Sequence, residues 1–456
     1  MTGRRWVLRA LGLVCALFLA ACEVAAPPPD VAPEVARTSP VVVRTFGAAN
    51  PVPPQRSNAD MARDFLDLTF SLETGAELPV FTRLDGPLTV ATTGVPSAAL
   101  DRELDLLLRR LRSEARLDIT ETDDAINATI TIEAIARREM NRMVPSAACF
   151  ILPARTTWTE FQDNPRQTRY LWSRLATRDA VTIFIPVDTS HQEIRDCLHE
   201  EVAQGLGPLN DLYRLGDTVF NDDNINAVLT GFDMLMLRVA YHPRLQSGMT
   251  QSQVAAELPR IFRSLNPRGE RVPDQPLNSE PREWTNAINR ALSGNSSGKR
   301  RAAADTALAE AERQGWTDVR AALSHYTVGR LYLNRDLNEA ASQFISAYEI
   351  YVQRPDTALH AANVARHLTV VSLRTGEWDT ALLFTDRYVP VAKRHQDAAL
   401  LADLMMARTV ALRATGKPYE TTRDEALGWG VYAFGSVSEA EMRARRFETL
   451  ARASGT

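Results

Sequence analysis

The chain has 456 residues, 45% of them apolar and 24% charged, which is enough for two globular domains of ordinary composition. Its 52 basic and 56 acidic residues leave a formal charge of −4, and no stretch concentrates the basic ones, so nucleic acid is excluded as a partner. No Ser/His/Asp set, glycine-rich phosphate loop or dinucleotide fingerprint stands out, and no Cys-x-x-Cys or Cys/His cluster marks a structural zinc site.

The N-terminus predicts an export signal. Arg4, Arg5 and Arg9 precede an apolar run at 10–20 that is too short to span a bilayer. Leu19-Ala20-Ala21-Cys22 follows and resembles a bacterial lipobox, which implies cleavage before Cys22 and acylation of its thiol; an ordinary signal peptide with an incidental cysteine is the alternative. Residue 23 is Glu rather than the Asp of inner-membrane retention, so the expectation is a periplasm-facing lipoprotein of the bacterial envelope, on the outer membrane. Removing residues 1–22 takes away three arginines and brings the charge to −7. Of the four cysteines, Cys15 leaves with the signal, and Cys149 and Cys197 remain as either one disulfide or two buried thiols. Residues 23–57 hold eight prolines between Pro27 and Pro54 and no apolar periodicity, which predicts an extended tether that packs no core.

Residues 58–262 mix strand and helix patterns. LTVATTG after Gly86-Pro87 reads as a strand, and Ser97 opens a helix with Leu100, Leu104, Leu107, Leu108 and Leu111 on one face. ATITIEAI (128–135) and AVTIFIP (180–186) read as strands, the second stopped by Pro186. Ser190 with Glu193 predicts a capping box at the head of the next helix, whose core stripe is Ile194, Leu198, Val202 and Leu206. A second helix is expected over 224–241, its apolar face interrupted by Asp233.

The helix after Ser190 carries the most informative stretch, EEVAQGLGPLND (200–211). Its spacing is that of the long zinc-protease motif H-E-x-x-H-x-x-G-x-x-H with the histidines missing. Glu200 and Gln204 stand at the first two ligand positions, four residues apart on one helix face. Glu201 stands at the general base, Gly207 at the turn, and Asn210 or Asp211 at the third ligand. Glu201 flanks the core stripe, where desolvation would raise its pKa. Carboxylates and an amide oxygen suit a divalent hard cation better than zinc, so Glu200, Gln204 and Asp211 are the candidate metal ligands and Glu201 the candidate catalytic base. His199 and His191 read as ordinary histidines rather than ligands.

Residues 263–282 read as a linker with Pro267, Pro273, Pro276 and Pro281. Residues 283–456 are helical throughout in pattern. Arg335, Leu337, Ala340, Phe344 and Ala347 match the offsets of a tetratricopeptide turn and second helix. Gly376, Trp378 and Ala381 repeat the start of that pattern, and Gly416 with Tyr419 is a looser copy. The expectation is tetratricopeptide-like hairpins that bind a protein or peptide partner, with a self-packed bundle as the alternative.

DCLHEEVAQGLGPLND followed by FNDDNINAVLTGFDMLMLRVAYHPRLQSGM resembles a bacterial family, domain of unknown function 2927, whose members look like relatives of the zincin metallopeptidases. The resemblance covers roughly residues 60–255 and implies a zincin-like fold, a mixed sheet over an active-site helix and then a helical C-terminal part; with the helical pattern of 283–456, the expected fold class is α+β followed by an all-α helical-hairpin domain. By this resemblance Asn210, Gly207 and Asp233 support the site, and Met249 takes the place of a methionine turn beneath the metal. Three functional readings follow. The first is a degenerate peptidase that binds or scaffolds through its cleft and repeats; the second is an active metal-dependent hydrolase using Glu201; the third is a structural domain serving the helical repeats.

Overall fold

A computed structural model describes residues 40–72, 74–275, 280–294 and 296–452. The signal segment, Cys22 and the first part of the expected tether lie outside the described residues.

The first domain opens with α1 (Asn58–Phe70), capped by Ser57, and continues through β1 (Leu88–Gly94) and α2 (Ala98–Ser113). Then come β2 (Ile119–Glu121), β3 (Ile130–Ile135), α3 (Arg137–Met143), β4 (Phe150–Leu152), α4 (Trp158–Asp163) and β5 (Val181–Pro186). The strands form a sheet of order β2-β1-β3-β5-β4, parallel except for the antiparallel β4–β5 pair. Every residue of β5 is buried, as a strand sandwiched between layers should be, and its one side-chain hydroxyl, on Thr182, donates to the Ala154 carbonyl. One face carries α2 and α5 (His191–Leu206), and their leucines, isoleucines and valines form the main core with β1, β3 and β5. Phe184 and Ile135 build a smaller cluster with Trp158, Phe161 and Tyr170. Two further helices, α6 (Gly231–Ala240) and α7 (Gln251–Leu265), close the domain.

The second domain is all-α: α8 (Arg282–Leu292), α9 (Ser297–Arg313), α10 (Val319–Tyr332), α11 (Leu337–Tyr351), α12 (Ala358–Thr375), α13 (Trp378–Arg394), α14 (Ala398–Ala414), α15 (Glu420–Phe434) and α16 (Val437–Arg452). Each helix packs on its chain neighbour, and the expected turns at Gly376 and Gly416 fall between α12 and α13 and between α14 and α15. Both glycines sit at positive φ, 77° and 68°, where a side chain would be strained. Ala340, Phe344, Ala347 and Ala381 are buried as the pattern requires. At Gly329 on α10 a Cβ would lie 2.7 Å from the Phe344 ring, which is itself stacked on His367. Gly329→Ala should therefore lower stability by about 1–3 kcal/mol in urea unfolding; a neutral result would show that α10 and α11 have room to separate.

Three boundaries differ from expectation. The helix predicted over 224–241 begins only at Gly231, because Thr230 and Asp233 form a reciprocal capping box and Asn224 is left-handed at φ 56°. The segment read as a linker packs on α1: Asn58 donates to the Asn266 carbonyl and to Glu270, and Asp60 accepts from the Gln275 N–H. The described part of the proline-rich segment is not a free tether either. Residues 40–57 form a strap laid over both domains: Arg44 N–H donates to the Gly428 carbonyl at 3.2 Å, Gln396 donates to Gly47, and Arg102 donates to Phe46. Proline disfavours helix but not packing, and Phe46 provides an anchor that composition alone concealed.

Candidate functional site

The motif helix α5 is held along its whole length. Ser190 Oγ accepts from Glu193 N–H, but the Glu193 carboxylate turns to Thr189 and Arg137, so only half of the expected capping box forms. The N-terminal half lies on the second domain. Gln192 bridges Asp397 and the Ala399 N–H just ahead of and within the first turn of α14. Arg195 pairs with the Gln396 side chain, lies 3.7 Å from Glu103 of α2, and covers the Phe46 ring. Glu103 in turn accepts from the Tyr432 hydroxyl of α15 at 3.0 Å. Burial, with Asp397 nearby, pushes the Asp196 carboxyl well above the usual carboxylate range.

Midway along α5, His199 is a core residue. Its Nδ1 accepts from the Leu229 N–H at 3.1 Å, while Arg110 of α2 donates to the Leu229 carbonyl at 2.8 Å. Burial and the Arg195 and Arg110 charges hold this imidazole well below its ordinary pKa, so it is neutral and carries its proton on Nε2. Glu201, the expected base, is 5% exposed, on the flank of the buried stripe Ile194, Leu198, Val202 and Leu206.

The helix ends where the motif places its turn, for a different local reason. Gly207 has an extended φ of −176°, and what requires a small residue is the α6 side chain Ala240, 3.3 Å from where a Cβ would stand. Gly205 lies inside the helix and lets α5 press on Ile151 and Val181 of the sheet. The last turn is closed by Arg178, which is 2% exposed. Its guanidinium donates to the carbonyls of Gln204 and Gly205, both at 2.8 Å, and of Gly207 at 3.2 Å, and it stacks on Trp172. Desolvation lowers its pKa to about 10, which still leaves it charged at neutral pH, opposite the negative end of the helix. Nothing in the sequence marked Arg178, because its partners are backbone atoms on a distant helix.

The other site residues also have structural partners. Asn210 donates to the Asp67 carbonyl at 3.0 Å, so the tail of the motif is fastened to α1. Asp233 is fully buried and accepts from Thr218 Oγ1, Val219 N–H and Thr230 N–H, while burial raises its pKa. Met249 stands in the turn before α7, where its sulfur accepts from Gln246 N–H and its carbonyl from Phe81 N–H. Glu200 is half-buried near Asp196, and Asp211 lies past the helix end near Tyr213. Among the described residues no group of three or more His, Cys, Asp or Glu side chains comes together to hold a metal ion. Cys149 and Cys197 form a disulfide that ties the residue just before β4 to α5, with a Cα–Cα distance of 5.9 Å.

The family model described as a protein of unknown function (DUF2927) matches residues 58–260, from the start of α1 into α7. No curated protein matches the chain, and no solved structure does. Through its first domain, the α+β unit that carries the motif helix, the chain matches the DUF2927 family model.

Proposed function

We propose that the protein is a non-catalytic scaffold of the bacterial cell envelope, lipid-anchored through Cys22, in which α5 serves as the beam joining two domains. The observation that carries this reading is the occupation of α5. Gln192 and Arg195 engage the second domain, His199 is bound to the Leu229 backbone, and Arg178 closes the last turn. A helix committed in this way positions domains, whereas a catalytic helix must present its acid and base to an incoming substrate. The stacked helices α8–α16 then offer an extended surface for a protein or peptide partner. The Cys149–Cys197 disulfide supports an oxidising compartment, in keeping with the lipobox-like Leu19-Ala20-Ala21-Cys22.

The competing reading is a metal-dependent hydrolase with Glu201 as base. Elemental analysis and a peptide-library assay on the purified protein, with Glu201→Gln in parallel, separate the two. The scaffold reading expects no stoichiometric metal and no turnover in either protein. Bound metal, with turnover that Glu201→Gln cuts by about 100-fold or more, sinks it.

A further inference from the structure

The two domains also meet at a cleft with a cavity volume of about 130 Å³, between the start of α1, the loop after α5 and the N-terminus of α10. Five arginines line it: Arg56, Arg63 and Arg214 from the first domain, Arg320 and Arg354 from the second. Only three carboxylates share the wall, Asp60, Asp64 and Asp318. Asp64 receives both Arg56 and Arg214, Asp60 receives Arg63, and Asp318 receives Arg320 at 2.6 Å. The carboxylates that complete the pairing are Asp217 with Arg56, Asp67 with Arg214 and Asp356 with Arg354, and none of these three lines the cleft. The network as a whole holds six carboxylates to five guanidiniums, with Glu280 also accepting from the Arg214 N–H, yet the surface facing the cleft carries two more positive than negative groups.

The donors have spare capacity. A guanidinium offers five N–H groups, more than Asp60 and Asp356 occupy on the partly exposed side chains of Arg63 and Arg354. Arg320 is 1% exposed and fixed over the Trp316 ring at 3.9 Å, so its orientation is set before any ligand arrives. Guanidinium groups converging from four separate stretches of chain suit a tetrahedral oxyanion with several acceptor oxygens better than a single planar carboxylate. The cavity has room for one such group.

We propose that this cleft is an oxyanion site that takes a phosphate-type group and bridges the two domains through Arg63 and Arg214 on one side and Arg320 and Arg354 on the other. The site is independent of the scaffold reading and of the motif helix.

Calorimetric titration of the full-length protein with inorganic phosphate, and separately with glycerol 3-phosphate as a soluble lipid headgroup, tests it at constant ionic strength. Saturable binding is expected at about 1 mM or tighter, with a rise in the unfolding temperature because the ligand holds the native joint together. Arg63→Gln and Arg354→Gln, at the two more exposed positions, should each weaken binding about tenfold while the ligand-free proteins stay folded. Tighter binding of glycerol 3-phosphate supports the proposal with an organic phosphate as the source, and equal or tighter binding of inorganic phosphate supports it with the free ion. Absence of saturable binding by both probes, or binding that neither substitution weakens, overturns it.

Discussion

Arg178→Met should destabilise the protein by about 3 kcal/mol or more, read as a lower urea midpoint with an unchanged slope. The substitution keeps much of the side-chain volume and removes every donor. Three carbonyls at the end of α5, those of Gln204, Gly205 and Gly207, then remain in a buried region without the guanidinium that satisfied them. Each lost bond to a charged donor is worth about 1.5–3 kcal/mol, and the favourable placement of a cation at a helix C-terminus is lost as well. No carboxylate pairs with Arg178 among the described residues, so no opposite charge is left stranded and the loss reads directly on the cap. Arg178→Lys should recover less than half of the stability, because one ammonium cannot span three carbonyls in the fork geometry. If Arg178→Met unfolds within about 1 kcal/mol of the parent, the turn of the motif is held by something other than this cap.

Phe46→Ala should cost about 3–4 kcal/mol and split one unfolding transition into two in calorimetry. The ring is 4.3 Å from Trp429 in a stacked arrangement, 5.8 Å from Tyr432 edge-on, and covered by Arg195. It therefore touches α15 of the second domain and α5 of the first at once. Its removal empties the space between them, and the loss falls on the coupling of the domains more than on either core. Val43→Ala, on the same strap with Val43 47% exposed, is the control and should stay within about 0.5 kcal/mol of the parent. Matching behaviour of the two variants would show that the strap is a passenger.

The parts of the fold that were legible in the sequence are those set by local pattern. The leucine face of α2, the largely apolar strand β5 and the stripe of α5 follow from local pattern, and each is buried as expected. The capping box at Thr230 and Asp233 was also present in the sequence, but Val228 and Leu229 extended the apolar spacing backwards and hid the true start of α6. The motif gave the helix and its turn. It did not give the direction of the chain after Gly207, which is decided by Leu209 and Asn210 N–H groups donating to the Leu68 carbonyl of α1. Spacing places Glu200 and Gln204 on one face, yet where Asp211 falls relative to them is a tertiary question. The zincin-like and tetratricopeptide-like likenesses rest on such spacing; the α+β domain followed by an all-α region rests on the fold itself. Arg178, Arg195 and the arginine-lined cleft were illegible for the same reason, since their partners are distant in the chain and several are backbone atoms.

The strap has a consequence for the order in which the molecule is made. Arg44 and Phe46 are among the first described residues to be synthesised, and their partners Gly428 and Trp429 are among the last. Contacts of such sequence separation form late, since nearly the whole chain must be present before the loop between them can close. The first domain can assemble its sheet and bury α5 against it while the helices behind it are still being added. The joint around Phe46 stays open until α15 arrives, so a product truncated before α15 would leave Phe46 and the second-domain face of α5 uncovered, and closure of the strap marks a chain made at least through α15.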